Sequence, residues 1–241
     1  MGLSGLRAAL AFLTVLPVGG GTGGRGLGRP FFPAVGLLLG VAAWAAFALA
    51  SAATGPALGA VAAIATLAVL TGGLHLDGLA DSADGLLCAG DPQRRLEVMR
   101  DPRVGAFGAV AVALVLLGDV GALTEMDRLR ALAGLAGAGS IARLGVLGTI
   151  HALPYVRPAG LGVAARDGRW PWELPIGLAA IVPPLALDWR HGLAAVILAA
   201  LATLGIGMLA RRRIGGATGD VYGAVVEVGQ LAVLVGYSVR L

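Results

Sequence analysis

The sequence of 241 residues contains no lysine, one cysteine and few charged side chains of either sign. Charged residues make up 13% of the chain, whereas soluble globular domains carry about 25%. A chain with so little charge cannot cover a water-facing surface, so the composition excludes an ordinary soluble domain and favours a protein with several membrane spans. Because Cys88 has no second cysteine to pair with, an intramolecular disulfide is excluded as well.

All the basic residues are arginines, scattered through loops with no aromatic platform among them. This pattern argues against nucleic-acid binding and favours arginine-rich loops at a membrane surface. The glycine-rich stretch GGGTGGRGLG, residues 19–28, lacks the Gly-Lys-Ser/Thr ending of a phosphate loop. We therefore interpret it as a flexible connector.

Apolar runs long enough to cross a bilayer predict an all-α, polytopic bundle that forms one domain over residues 1–241. The pattern gives about six to seven transmembrane helices, because a span needs about 20 apolar residues. An N-terminal interfacial or re-entrant helix is expected before them. Pro183 and Pro184 predict a kink or break in the fifth span. The predicted spans are 33–53, 57–74, 105–124, 131–152, 173–189, 192–210 and 221–239.

The arginines also predict how the bundle is oriented. If the 19–32 loop lies in the cytoplasm and the spans alternate, most arginines fall on the cytoplasmic side, as the positive-inside rule requires. The 75–104, 153–172 and 211–220 loops then share the cytoplasmic face. These three loops hold most of the polar clusters, so we expect a catalytic site at the cytoplasmic mouth of the bundle.

The acidic stretch GGLHLDGLADSADGL, residues 72–86, interrupts this apolar sequence. Asp77, Asp81 and Asp84 are spaced i, i+4 and i+7, which places them on one face if the stretch is helical. Clustered carboxylates at a membrane boundary repel one another unless a cation neutralises them, and oxygen ligands suit Mg²⁺, Mn²⁺ or Ca²⁺ better than Zn²⁺. The alternative is a solvated acidic loop at the membrane edge. His75 lies roughly opposite the aspartates and can support the ligands, carry a proton or cap the helix.

The segment after the aspartates contains a second candidate cluster. Asp91 followed by proline predicts a helix N-terminus, and the helix should end at or before Asp101 because proline follows it. The loop then presents Arg100 and Arg103, whose guanidinium groups can clamp a pyrophosphate beside a carboxylate-bound metal. The alternative for both arginines is an anchor for lipid headgroups.

Two further polar residues complete the set of cytoplasmic loops. Arg157 lies in YVRPAGLG and Asp220 in GGATGDVYGA. Asp220 can act as a fourth carboxylate or orient a hydroxyl; the alternative is that it caps the last helix.

Charged residues also fall within the predicted spans. Arg143 and Glu227 are expensive to bury in a bilayer, so we expect them to be paired by a salt bridge or to be functional. Asp119 lies near the far end of its span, where we expect solvent to reach it.

Several strings in this chain resemble one family over essentially its whole length. HLDGLADSADG, RDPRVGAFG, RPAGLG and GGATGD, in this order, with FLTVLP and FFPAVGLLLG near the start, are similar to the cobalamin synthases, which are adenosylcobinamide-GDP ribazoletransferases. The resemblance implies that adenosylcobinamide-GDP and α-ribazole, or its 5′-phosphate, are joined to give adenosylcobalamin, or its phosphate, and GMP. It also implies Mg²⁺ dependence and a bacterial cytoplasmic membrane.

With this chemistry, the three aspartates become candidate metal ligands and catalytic groups, with Asp81 the candidate base. Mn²⁺ is expected to replace Mg²⁺ in part, and a homo-oligomer stays open. The rival functions are a phosphotransferase similar to the CDP-alcohol phosphotransferases and a membrane transporter. The candidate substrate-binding residues are His75, Arg100, Asp101, Arg103, Arg157 and Asp220.

Overall fold

The computed structural model describes residues 2–18, 25–158 and 171–240, together with Val163 and Ala165. A 3₁₀ helix, Arg25–Phe31, precedes the second of ten α-helices in these ranges. The helices are α1 (Gly2–Leu13), α2 (Phe32–Thr54), α3 (Pro56–Thr71), α4 (Leu74–Leu87), α5 (Pro92–Val98), α6 (Ala106–Thr124), α7 (Arg128–Ala152), α8 (Glu173–Leu187), α9 (Trp189–Ile214) and α10 (Gly219–Ser238).

This architecture confirms the predicted all-α, polytopic bundle. Within the described ranges, five helices are long and apolar enough to cross a membrane: α2 with the 3₁₀ turn before it, α6, α7, α9 and α10. Large apolar side chains such as Leu117 and Leu204 are exposed on the spans, as expected where a helix faces lipid. The only β pairing among the described residues is an isolated bridge between Tyr155 and Ala217.

A sixth span is formed only if α3 and α4 are counted together, because the chain bends by 90° between them. Gly72 and Gly73 make this bend, and both have positive φ angles, of 62° and 71°. Left-handed backbone is costly for residues with a Cβ atom, so the glycine pair permits the turn. The bend directs the acidic helix α4 into the bundle, where it packs against α6 and α10.

Apart from the bent pair, the described part of the chain has two further apolar helices that are shorter than a span. α1 has 12 residues, which gives a length of about 18 Å, in keeping with an N-terminal helix that does not cross the membrane. α8 covers 15 residues of the predicted fifth span and continues through Pro183 and Pro184, so the helix is not broken there, and the alternative of a kink stays a prediction.

The centre of the bundle is formed by α7 and α10, with α2 and α9 packed against them. α2 and α7 approach each other at Gly36 and Gly139, where each backbone carbonyl lies against the other glycine. Small residues permit such contacts, and close packing is the main attraction between helices in lipid.

The contact at Gly139 gives a first prediction. In Gly139→Ala the new Cβ atom would collide with the carbonyl oxygen of Gly36, so the helices must separate at a cost of about 1–3 kcal/mol. We expect a lower thermal unfolding midpoint for the purified protein in detergent. Gly148→Ala is the matched control on the same helix, because its Cβ would meet nothing within 4 Å. Equal midpoints for the two variants would contradict this packing.

Candidate active site

The acidic stretch is helical, as its spacing requires, and α4 carries all three aspartates. Their environments differ: Asp77 is exposed, Asp81 is half-buried and Asp84 is buried. The three carboxylates therefore do not form one equivalent ligand set.

Asp84 is directed towards the start of α6 rather than towards the other aspartates. One carboxylate oxygen accepts a hydrogen bond from the backbone N–H of Gly105 at 2.7 Å, and the other accepts one from Gly108 at 2.9 Å. These N–H groups are among those that an α-helix leaves unpaired at its N-terminus. Asp84 thus joins α4 to α6, and its predicted role as a metal ligand stays a prediction on which the proposal below does not depend.

A close approach of α4 to α10 brings a different carboxylate to the site. A Cβ atom at Gly78 would lie 2.9 Å from the carbonyl oxygen of Asp220, and one at Gly223 would lie 3.0 Å from the Cα atom of Gly78. Because both residues are glycines, the two backbones are in contact. The carboxylates of Asp77 and Asp81 on α4 therefore interact electrostatically with that of Asp220 on α10.

Arg157 completes this group. Its Nη2 atom lies 2.7 Å from the Asp220 carboxylate and donates to the carbonyl oxygen of Met99 at 3.3 Å. Both side chains of the ion pair are mostly buried, with exposed fractions of 15% and 18%. The buried Nε atom of Arg157 has no hydrogen-bond partner in the described part of the chain, so it can donate to a ligand.

Short backbone contacts hold Arg157 beside α10. Val156 donates to the carbonyl oxygen of Ala217 at 3.0 Å, and Ala217 donates to that of Pro154 at 2.8 Å. The cap of α10 is Thr218, whose hydroxyl accepts from the N–H of Val221. The alternative that Asp220 caps this helix is therefore wrong, which leaves its carboxylate for Arg157.

The predicted arginine clamp is not part of this group. Arg103 donates to both carboxylate oxygens of Asp101, and the side chain of Arg103 is 86% exposed. These hydrogen bonds lower the pKa of Asp101 to about 2, so the pair stays charged at neutral pH. Arg100 is also exposed. Asp91 caps α5 as predicted, by accepting from the N–H of Arg94, and this helix ends before Asp101.

A cavity of about 260 Å³ opens beside the charged group. Asp77, Arg157 and Asp220 line it, together with His75 and Arg143, which are buried. The remaining lining is largely apolar and comes from α1, α2, α7 and α10: Phe12, Leu13, Phe32, Val146, Ile150, Tyr222 and Val226. A cleft of this kind, with a few convergent charged groups, is the usual form of a ligand site.

The ionisable residues inside the spans form a buried polar cluster. Arg143 donates to Gln230 at 3.5 Å and Gln230 donates to Glu227 at 3.5 Å, so the expected pair of Arg143 and Glu227 is connected through an amide. Asp119 faces the same cluster and is 3% exposed, so the expectation that solvent reaches it is wrong. Asp119 lies near the end of a predicted span, and this position in the sequence does not indicate that it packs against the buried cluster.

The described side chains do not by themselves form a complete metal site. Within the described ranges, no group of three or more His, Cys, Asp or Glu side chains is arranged to hold a metal ion. However, Mg²⁺ is usually bound by one or two carboxylates together with substrate phosphates and water. Asp77, at the cavity mouth, can supply one such carboxylate, and metal binding stays a prediction.

A helical bundle with a charged cavity mouth is the arrangement of a membrane-embedded enzyme. A family-level sequence model described as cobalamin-5-phosphate synthase matches residues 5–238. The adenosylcobinamide-GDP ribazoletransferases of two Escherichia coli strains, O127:H6 and O139:H28, and of Shigella boydii serotype 18 are each 38% identical over 240 residues, covering 94% of this chain and 96% of the relative. No solved structure matches the chain. The chain therefore belongs to the cobalamin-5-phosphate synthase family.

Proposed function

We propose that the cavity mouth between α4 and α10 transfers the adenosylcobinamide phosphate of adenosylcobinamide-GDP to α-ribazole or its 5′-phosphate. The products are adenosylcobalamin, or its 5′-phosphate, and GMP. The chain is a transferase of cobalamin biosynthesis, as the family and the named relatives indicate. The observation that carries the assignment of the site is the convergence of Asp77, Arg157 and Asp220 from separate segments at one cavity mouth, with Asp81 near enough to Asp77 and Asp220 to interact with them electrostatically.

The reaction is a substitution at phosphorus. A hydroxyl oxygen of the acceptor attacks the phosphorus nearer the cobinamide, and the bond from that phosphorus to the bridging oxygen breaks. GMP leaves with the bridging oxygen. Such transfers depend mainly on positioning and on the neutralisation of charge, because the protein itself forms no covalent bond to the transferred phosphate.

Arg157 is suited to bind the diphosphate. Asp220 holds one end of its guanidinium at 2.7 Å, while the buried Nε–H has no partner in the described structure. A guanidinium fixed in this way can donate to non-bridging phosphate oxygens without first losing side-chain freedom.

Asp81 is suited to accept the proton of the attacking hydroxyl. It is half-buried, faces Asp77 and Asp220, and makes none of the backbone hydrogen bonds that occupy Asp84. Nearby negative charge favours uptake of a proton by a carboxylate, as a general base requires.

Asp77 would hold a Mg²⁺ ion together with the diphosphate and water, which leaves the Asp81 carboxylate to accept the proton. When bound, the ion neutralises charge on the phosphate oxygens and stabilises the leaving group. The site is expected to face the cytoplasm of a bacterial cell, because Arg211, Arg212 and Arg213 at the end of α9 immediately precede the start of α10 at the cavity mouth.

The function is tested with purified protein in membranes supplied with adenosylcobinamide-GDP, α-ribazole and Mg²⁺. We expect GMP and adenosylcobalamin to form in equal amounts, and GMP release to require α-ribazole. Folded protein that forms no cobalamin from these substrates would overturn the proposal.

Metal removal gives a second prediction. Excess EDTA should abolish turnover because the diphosphate charge is no longer neutralised, Mg²⁺ should restore it, and Mn²⁺ should restore part of it. The unfolding midpoint, measured in parallel, should change little, since Asp84 stabilises α6 through backbone N–H groups and needs no ion. Undiminished turnover in EDTA would contradict the metal requirement.

A further inference from the structure

The cavity has two chemically different parts. Its mouth carries Asp77, Arg157 and Asp220, whereas Val146, Ile150 and Val226 line the part that extends into the bundle. A ligand that enters fully must therefore have one charged or polar end and one apolar end.

Aromatic pairs lie in the lining of the cavity. Phe12 of α1 stacks on Phe32 of α2 with ring centroids 5.6 Å apart, and Tyr155 lies 6.2 Å from Tyr222 of α10. All four residues line the cavity. Paired aromatic side chains offer large, rigid surfaces that suit a flat apolar ring.

The side chain of Arg143 is the cationic group in the inner part of the cavity. Arg143 is 1% exposed, and its Nη1 atom donates to the carbonyl oxygen of Gly139 at 3.0 Å and to Gln230 at 3.5 Å. Its buried Nε–H has no partner among the described residues. A buried donor without a partner costs free energy, so a ligand that accepts a hydrogen bond here would gain affinity.

We propose that the inner part of the cavity binds the base of the acceptor nucleoside, with Arg143 donating to its free ring nitrogen, while the corrinoid and the guanosine of the donor stay outside the mouth. This inference rests on the proposed function. α-Ribazole is a ribonucleoside of dimethylbenzimidazole, a flat base with an apolar carbon ring and one unsubstituted ring nitrogen. Its ribose then lies at the charged mouth, where its hydroxyl meets the diphosphate.

The other parts of the substrates fit this space less well. A corrin macrocycle with its side chains is several times larger than a cavity of about 260 Å³. Guanine fits by size, but its edge carries several donors and acceptors. The inner part offers few polar partners, chiefly Arg143 and His75, so several of these groups would stay unpaired, and unpaired buried polar groups are costly.

The test is to fill the cavity and measure each substrate separately. Val226→Phe extends a side chain into the inner part, so KM for α-ribazole should rise about tenfold or more while KM for adenosylcobinamide-GDP changes less than about twofold. Val235→Phe is the control on the same helix, because Val235 is 39% exposed and does not line the cavity. It should leave both values unchanged.

Val226→Ala keeps the inference testable if the larger side chain prevents folding. The enlarged cavity should raise the relative kcat/KM for a ribonucleoside with a bulkier fused base, such as naphthimidazole, by about tenfold over wild type. An unchanged preference would overturn the inference.

The role of Arg143 is tested by a nucleoside in which the free ring nitrogen is replaced by carbon. Wild type should use this indole nucleoside about tenfold less well than α-ribazole, and Arg143→Met should use both equally. An equal loss with both nucleosides in Arg143→Met would show that the arginine only supports the fold.

The two proposals fail in different ways. If wild type forms no cobalamin, the proposed function fails. If cobalamin forms but Val226→Phe raises KM for the donor, or guanosine displaces α-ribazole from the protein in a titration, the function stands and the acceptor site is wrong.

Discussion

The Asp81→Asn variant is expected to lose about three orders of magnitude in kcat, because general-base catalysis contributes about 10²–10⁴-fold. Asparagine keeps the shape of the side chain but cannot accept the proton of the attacking hydroxyl. It also removes negative charge beside Asp77 and Asp220, so the fold should be unharmed or slightly stabilised. The measurement is the rate of GMP release at saturating concentrations of both substrates, with the unfolding midpoint determined in parallel.

The matched control is Glu97→Gln, which makes the same chemical change on an exposed side chain of α5. Glu97 is 54% exposed and pairs only weakly with Arg94, at 3.4 Å, so turnover should stay near the wild-type rate. If the Asp81→Asn variant retains more than about a tenth of wild-type kcat, Asp81 is not the general base.

The Arg157→Met variant should lower kcat/KM for adenosylcobinamide-GDP by about 100-fold or more, since charged hydrogen bonds to phosphate are among the strongest in proteins. Methionine fills much of the same volume but cannot donate to the diphosphate. It also leaves Asp220 without its partner at 2.7 Å, so Arg157→Met with Asp220→Asn should be compared with the single variants. The unfolding midpoint separates a loss of stability from a loss of binding.

Arg103→Met is the informative control for this prediction. Arg103 lies in a motif that predicts a pyrophosphate clamp, yet its side chain is 86% exposed and paired with Asp101. We expect less than about a threefold change in kcat/KM, because exposed ion pairs contribute little. The reverse result, with a large loss of kcat/KM in the Arg103 variant and a small one in the Arg157 variant, would show that the loop after α5 binds the pyrophosphate instead.

The fold could be predicted because its determinants are local. Low charge and long apolar runs indicate membrane helices, and the i, i+4, i+7 aspartates indicate the helical face of α4. Asp91 before a proline predicts the start of α5, and this is what the structure shows. Each of these features depends on a few neighbouring residues.

The composition of the site depends on contacts between distant segments, and it was predicted less completely. Gly78 and Gly223 bring α4 against α10, but glycines are frequent throughout this chain, so their spacing does not distinguish this contact. The pairing of Arg157 with Asp220 follows from the bridge between Tyr155 and Ala217. Asp84 has the spacing of a metal ligand and also accepts hydrogen bonds from the start of α6, a contact that could not be predicted because spacing fixes a helix face and not the partner of each side chain.

The buried cluster illustrates the same limit. Asp119 lies five residues from the end of its helix at Thr124, a position that suggests contact with solvent. In the bundle it packs against α10 near Glu227 and is 3% exposed. Which face of a membrane helix meets protein rather than lipid is decided by its neighbours.

The central claim is that the donor binds at the cavity mouth where α4 meets α10, on the cytoplasmic face. Gly219 lines this mouth, and a Cβ atom there would meet only the Tyr155 hydroxyl, at 3.9 Å, so Gly219→Cys in a Cys88→Ser background should fold normally. We predict that a charged, membrane-impermeant maleimide labels this cysteine in inside-out vesicles and that adenosylcobinamide-GDP with Mg²⁺ blocks the labelling. Gly121→Cys, near the other end of α6 and on the far side of the membrane, should be labelled only in right-side-out vesicles, at a rate that the donor does not change. Labelling of Gly219→Cys only from the outside, or at an unchanged rate with saturating donor, would contradict the account.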